Sequence, residues 1–380
     1  MKRRADAVII GGGVSGCGLA YCLAKRGFKD VVVLEREYLA SGATGRCGGG
    51  IRQQWSTEEN TKLAMESVRL FGQLDEELEY ETEFEQGGYL ILAYTDQEVE
   101  QYKKNVAMQQ KLGLDVRFID PKEAREIAPH LNTEGVLCAT YCPSDGSANP
   151  FYVTQAYAEA AKCLGVQIEL YTPVTNIEKR GGRIASVVTS RGKIETPLIV
   201  NAAGGDSVSL AKMVGVELPI VPTRHEIMVT EQVEPFFTTM VISFKHGVYF
   251  RQEKRGGILM GYGDPDERPG FDITSSMKFL RTMSRKILNL MPALHRVKVV
   301  RQWGGLYDTT PDALPILGPV DGVEGFIQIN GFSGHGFMLA PKVVDLLAQL
   351  ITGEELDLPI DRLHMDRFLT GEISRDLSVV

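Results

Sequence analysis

The sequence predicts an α/β protein of mixed α+β character. A discontinuous Rossmann-like nucleotide-binding domain carries a second, mixed-sheet substrate domain. Two observations predict this. A complete strand–glycine turn–helix–strand unit occupies the first 35 residues, and further glycine-rich, strand-ending segments recur in the middle and near the end of the chain. Such signals, separated by other structure, imply one nucleotide domain assembled from several segments. Its expected pieces are 1–80, 144–222 and 304–380, with 81–143 and 223–303 forming the substrate domain.

The first unit is the most specific. Ala7-Val-Ile-Ile10 is a buried-strand run, followed by Gly11-Gly-Gly13-Val14-Ser15-Gly16, a helix ending near Gly27, and the strand Val31–Leu34 tipped by Glu35. In this G-x-G-x-x-G order Gly11 permits the tight turn. Gly13 lets a pyrophosphate approach the backbone, and Gly16 lets helix and strand pack closely. The helix N-terminus offers N–H groups and partial positive charge to phosphates. Glu35, 19 residues after Gly16, lies about where an acid accepts ribose hydroxyls. NAD and FAD both use this turn, so the motif alone leaves them open.

The remaining elements follow in order. Ser56-Thr-Glu-Glu59 reads as a capping box opening a helix whose apolar positions run to Leu78. A strand over 87–93 precedes an amphipathic helix over 96–112, stopped by Gly113. A short helix covers 121–128, and Pro143-Ser-Asp-Gly146 is a turn. A helix over 150–164 and a strand over 166–170 come next. Residues 184–189 and 193–196 alternate around Arg191-Gly192 as a hairpin. Leu198-Ile-Val200 is a buried strand, 224–303 is mixed strand and helix, and a last helix spans 341–351.

Composition narrows the function. The 380 residues carry 43% hydrophobic and 24% charged side chains and a net charge of −8, which argues against a nucleic-acid partner. No apolar run reaches the roughly 18 residues of a membrane span. Met1-Lys-Arg-Arg4 leads into a strand, not a signal-peptide core. Cys17, Cys22, Cys47, Cys138, Cys142 and Cys163 lack metal-ligand spacing and read as free thiols, with no metal site. The expected compartment is the cytoplasm.

Four separated motifs together resemble the D-amino-acid oxidase superfamily of flavoproteins. They are the Ala7–Glu35 fingerprint; Ser41-Gly-Ala-Thr44-Gly-Arg46-Cys47-Gly48-Gly49-Gly-Ile-Arg52; Ile199-Val-Asn-Ala202-Ala203-Gly204-Gly-Asp-Ser207; and Tyr307-Asp-Thr-Thr-Pro-Asp-Ala-Leu-Pro-Ile-Leu-Gly318 with Gly331-Phe-Ser333-Gly334-His335-Gly336-Phe337-Met338-Leu-Ala-Pro341. The similarity is to sarcosine oxidases, glycine oxidases and the β subunits of hetero-oligomeric sarcosine oxidase and proline dehydrogenase. It implies FAD bound along these motifs, with Arg36, Val174 and Gly305 completing the cofactor residues. It also implies hydride transfer from a small amino acid or secondary amine to flavin N5, giving an imine that hydrolyses. The glycine loop and the helix dipole behind it can stabilise negative charge on reduced flavin.

The resemblance assigns Arg52 to grip the substrate carboxylate and Tyr249 to the substrate's vicinity, while Arg251 replaces a family cation that is Met338 here. His335 orients backbone or faces the ring, with acid–base chemistry as the alternative. Departures matter as much. Gly305 stands at the cysteine that anchors flavin covalently in monomeric sarcosine oxidases, and Pro150 at the FMN-carrying histidine of hetero-oligomeric β subunits. FAD is therefore expected to be noncovalent, with FMN in a complex left open. Leu259 stands at the oxygen-activating lysine, which favours a dehydrogenase passing electrons to a partner subunit or carrier. The rivals are an oxidase of another substrate, such as a 2-hydroxy acid, and a non-catalytic electron-relay subunit.

Overall fold

A computed structural model describes residues 2–370; residues 371–380, the end of the last expected nucleotide-domain segment, lie outside the described residues. The six-stranded sheet has the order Ile316–Pro319, Phe326–Asn330, Ile199–Asn201, Ala7–Ile10, Val31–Leu34, Gln167–Glu169. All neighbours are parallel except the Ile316–Pro319 edge. Ala7–Ile10 and Val31–Leu34 are apolar throughout because both faces of the sheet are covered. Ile9, Val31 and Val33 pack with helices Val14–Lys25, Pro150–Cys163 and Gly336–Thr352. Val8, Ile10, Val32 and Leu34 point the other way, toward the antiparallel strands Val174–Arg180, Arg183–Thr189 and Gly192–Glu195 and helix Ser207–Met213.

The second sheet has eight strands, ordered Val299–Thr309, Val221–Thr230, Ile258–Tyr262, Val248–Gln252, Met240–Ser243, Tyr89–Ala93, Cys138–Cys142, Arg117–Ile119. Period-two alternation sorts its side chains. Met228, Phe250 and Met260 bury against Phe279, Met283 and Ile287 of helix Met277–Leu290. That helix opens on Ser276, whose Oγ accepts the Phe279 amide at 3.0 Å. The odd-numbered residues His225, Tyr249, Leu259 and Tyr307 share the opposite face by register.

Three local expectations are corrected. The helix expected from Ser56 begins at Glu58, with Thr57 as its cap, its side chain accepting the Asn60 amide at 3.4 Å. It ends at Phe71 before Gly72, and Leu74–Glu77 forms a separate short turn of helix. The last helix starts at Gly336, not Pro341. Pro341 forfeits only one interior hydrogen bond, which burial of Val343, Val344, Leu346 and Leu347 offsets at roughly 1.5–3 kcal/mol per side chain.

Candidate functional site

A cavity of about 370 Å³ runs along the C-terminal ends of Ala7–Ile10, Val31–Leu34 and Ile199–Asn201 and reaches the second sheet at Leu306, Tyr307 and Asp308. At its first end the glycine turn is shaped by contact. A Cβ on Gly11, whose φ is +121°, would strike the Ala202 carbonyl, and one on Gly16 would strike the Gly11 carbonyl. Gly16 is thus a packing residue and does not line the cavity, whereas Gly11, Gly13, Val14 and Ser15 do.

The helix terminus is less open than the motif implies. The Gly12 amide donates to Glu35 at 2.7 Å and the Val14 amide to Thr44 Oγ1 at 3.2 Å. Glu35 also accepts the Glu37 amide at 2.8 Å and the Ser41 hydroxyl at 3.3 Å. This carboxylate therefore braces the turn while facing the cavity. A carboxylate has about four lone-pair sites, so ribose hydroxyls can still reach it. Arg36 lines the same end and pairs with Asp206 at 2.9 Å. Ser41, Thr44, Val174, Ala202, Ala203 and Gly204 complete it.

The second end is built from both sheets. Arg46 lines it and ties them together, donating to the Ser41 carbonyl at 3.0 Å and the Gly304 carbonyl at 2.8 Å. Trp303 Nε1 returns a bond to the Arg46 carbonyl at 3.0 Å. A Cβ on Gly305 would sit 2.9 Å from the Arg46 Cβ, so Gly305 makes room for this strap. Cys47 lines the wall, and burial pushes its thiol up to about 11. Gly334, Gly336 and Phe337 also line it. Gly48, Gly49, Gly331, Ser333, His335 and Met338 do not; Met338 packs into the helical core.

Two side-chain clusters flank this end. Arg52, only 2% exposed, places its guanidinium 4.6 Å from the Trp55 ring centroid and donates to the Gln54 carbonyl at 2.8 Å. His335, the residue before the last helix, meets the same indole edge-on at 4.8 Å. Buried Asp145 holds the segment after Arg52, accepting from the Gln53 amide at 2.8 Å and from the Gln53 and Gln54 side chains at 3.0 Å each. Burial pushes its carboxyl up to about 6. Arg251 does not line the cavity. It donates to the Gly48 carbonyl at 3.0 Å and pairs with Glu253 at 3.3 Å. The buried Tyr89 hydroxyl packs against Gly50 of the same segment, where a Cβ would strike it.

In the other cluster Tyr249 and Tyr307 were legible in the sequence, but His225 was missed. His225 Nε2 lies 3.1 Å from the Tyr249 hydroxyl, and the imidazole stacks on Tyr307 at 4.5 Å and on Tyr249 at 5.6 Å. His225 faces Gly305 across the strands, and Tyr249 faces Gly261, where a Cβ would strike its ring. Burial pushes His225 down to about 4, which keeps it neutral. Tyr249 and Leu259 both approach the Gly48 backbone, at 3.3 and 3.2 Å from where its Cβ would be. An isolated histidine in a mixed segment carries no pattern; only strand register could have revealed it. Among the described residues no group of three His, Cys, Asp or Glu could hold a metal ion, and no helix is long and apolar enough to cross a membrane.

The FAD dependent oxidoreductase family, abbreviated DAO, matches residues 6–350. The chain belongs to this family. The sarcosine oxidase subunit beta of an Arthrobacter species is 33% identical over 378 residues, 98% of this chain and 93% of that one. Human mitochondrial dimethylglycine dehydrogenase is 30% identical over 385 residues, covering 96% of this chain but 44% of that protein. The L-proline dehydrogenase of P. horikoshii has a TM-score of 0.94 at 38% identity, covering 98% of this chain and 100% of that one. Glycine oxidase from Geobacillus kaustophilus has a TM-score of 0.88 at 26% identity, with 96% and 99% covered. The protein is an FAD-dependent oxidoreductase, and its residues fit the cofactor. The Gly11–Ala202 contact would be filled by any Cβ, and a carboxylate stands at the tip of the second strand.

Proposed function

We propose that this oxidoreductase oxidises a small amino acid or secondary amine, of the sarcosine, glycine or proline kind, as a dehydrogenase working with a partner subunit or carrier. The carrying observation is the 47–52 segment: it starts at cavity-lining Cys47, its Gly48 carbonyl accepts from Arg251, Tyr249 of the His225–Tyr249 pair packs against Gly48, and it ends at buried Arg52. Two guanidiniums suit a carboxylate, and a planar fork can grip both its oxygens. Arg52 grips and orients; Arg251 steadies the Gly48 backbone and adds positive charge. Trp55 holds the Arg52 plane, and Asp145 holds its segment. The Tyr249 hydroxyl, 3.1 Å from His225 Nε2, can hydrogen-bond the neutral substrate amine and orient it; burial keeps the phenol protonated and makes His225 a weak base, so the pair positions the amine rather than deprotonating it. When bound, FAD supplies the hydride acceptor. His335 packs on Trp55 as a positioning residue.

Noncovalent FAD is supported by Gly305 at the anchor position and by the raised Cys47 thiol, which disfavours the thiolate. The dehydrogenase reading rests on buried Leu259 beside Gly48. Partner subunits are suggested by relatives named as β subunits, and FMN in such a complex belongs to the same suggestion. The division we propose is an FAD domain (1–80, 144–222, 304–380) and a substrate domain (81–143, 223–303); the second sheet overruns these bounds, because strand Val299–Thr309 pairs along its length with Val221–Thr230. Six free cysteines support a reducing, cytoplasmic setting. The test is anaerobic mixing of holoprotein with sarcosine, glycine, proline and 2-hydroxy acids. Bleaching of the flavin absorbance by an amino acid or amine is expected. Bleaching by hydroxy acids alone, or by none, overturns the substrate class.

A further inference from the structure

Asp308, near the end of strand Val299–Thr309, is a buried carboxylate on the cavity wall that no step above uses. Its Oδ2 accepts the Gly331 amide at 2.7 Å, and its carbonyl accepts the Ser333 amide at 3.2 Å. The neighbouring Thr310 amide donates to Ser333 Oγ at 3.1 Å. These contacts hold a loop of unfavourable backbone, with φ of +72° at Gly331, +51° at Ser333 and +91° at Gly334. Left-handed conformations persist in non-glycine residues only where surroundings impose them. Tyr307 closes the mould, since a Cβ on Gly334 would strike its ring. The loop then enters helix Gly336–Thr352, whose first residues line the cavity.

The charge is as informative as the shape. Burial pushes the Asp308 carboxyl up to about 6, opposed by backbone hydrogen bonds of Gly331, Phe332, Ser333 and Asp308 itself. It is an anion at about pH 8. The glycine turn and Glu35 mark the adenosine end of the cavity, so the ring end is the one bordered by Tyr307, Asp308 and Phe332.

We infer that Asp308 sets the reduction potential of the bound flavin: its carboxylate moulds the 331–335 loop against the cavity, and its negative charge on the cavity wall opposes the charge the flavin gains on reduction. This rests on FAD occupying the cavity as proposed. Like charges in a low-dielectric site repel strongly, so removing one should favour the reduced form at least tenfold.

Asp308→Asn keeps an acceptor for the Gly331 amide and deletes the charge; Asp308→Ala deletes both. Midpoint potentials of the holoproteins are measured against a reference dye at about pH 8, and FAD affinity by titrating apoprotein. For Asp308→Asn the expected rise is at least tenfold in the equilibrium, about 30 mV for a two-electron couple, with FAD affinity nearly unchanged. Asp308→Ala should weaken FAD binding at least tenfold. A potential in Asp308→Asn within roughly twofold of wild type, about 10 mV, or a lowered one, overturns the assignment. Should that variant not retain flavin, Asp308→Glu decides. With its charge kept it must hold the potential within about 10 mV, and a rise of about 30 mV overturns the proposal. If instead FAD binds the apoprotein without protecting the cavity-lining Cys47 thiol from a thiol reagent, the cavity placement fails, whatever Asp308 does.

Discussion

Replacing Glu35 by alanine removes one carboxylate with two duties. In the folded chain it accepts the Gly12 amide at 2.7 Å, the Glu37 amide at 2.8 Å and, at the long distance of 3.3 Å, the Ser41 hydroxyl. Each good hydrogen bond to a charged group is worth about 1.5–3 kcal/mol. Water in the empty cavity can reach part of the abandoned turn, so the apoprotein should lose about 2–4 kcal/mol of stability rather than the full sum. FAD binding should weaken by a further ~1–3 kcal/mol for lost ribose contacts, roughly five- to 150-fold in Kd. The assay is titration of apoprotein with FAD followed by flavin fluorescence, beside a chemical denaturation curve of the same apoprotein. Glu35→Gln separates the duties: it keeps an acceptor but not the charge, and should fall between wild type and Glu35→Ala in both measurements. Loss of stability with Kd within about twofold of wild type would show that the carboxylate only braces the turn.

Other expectations follow from the same geometry. Arg52→Lys should cost more than about 2 kcal/mol in kcat/KM, because an ammonium cannot reproduce the two-oxygen grip or the stacking on Trp55; unchanged kinetics would make Arg52 structural. Stopped-flow reoxidation should show wild-type reduced flavin reacting slowly with oxygen and Leu259→Lys reacting faster. Burial would depress that lysine, so the gain should grow as pH falls; rapid peroxide production by wild type refutes the dehydrogenase reading. His225 titrates near 4 when folded and near 6.5 when unfolded. The unfolded chain therefore binds more protons in this window, and His225 contributes stability above it that is lost as pH falls from about 6.5 to 4. His225→Gln should flatten that part of the stability–pH curve, and an unchanged curve would refute the shift. Acid or heat denaturation should release FAD into the supernatant, whereas flavin retained on the precipitate would establish a covalent link.

The glycine-turn end of the cavity was legible in the sequence because its determinants are local. Turn geometry, helix entry and a strand tip lie within 35 consecutive residues, and each residue type has one physical task there. Strands Ala7–Ile10 and Val31–Leu34 coincide with the apolar runs because burial on both faces leaves no polar position to blur them. The loop before the last helix was legible as a glycine pattern, but its length was not. Proline usually begins a helix, and only the packing of Gly336–Thr352 against Val14–Lys25 and Glu58–Phe71 shows that Pro341 sits inside one.

What tertiary structure alone decided lies where separate strands meet. His225, Tyr249 and Tyr307 are up to 82 positions apart in number yet stack together, because three strands of the second sheet pair in a register that puts them on one face. The second sheet's strand order could not be read from 224–303, since alternating patterns define a face but not a neighbour. The sequence named Arg52 as the carboxylate grip and Arg251 as a replacement cation, but not what holds each; the fold buries one on Trp55 and ties the other to Gly48 and Glu253. By itself the sequence determined the fold class and the strand–glycine turn–helix–strand unit, which depend on contacts close along the chain. The reacting end depended on long-range pairing, whose partners a linear pattern does not specify.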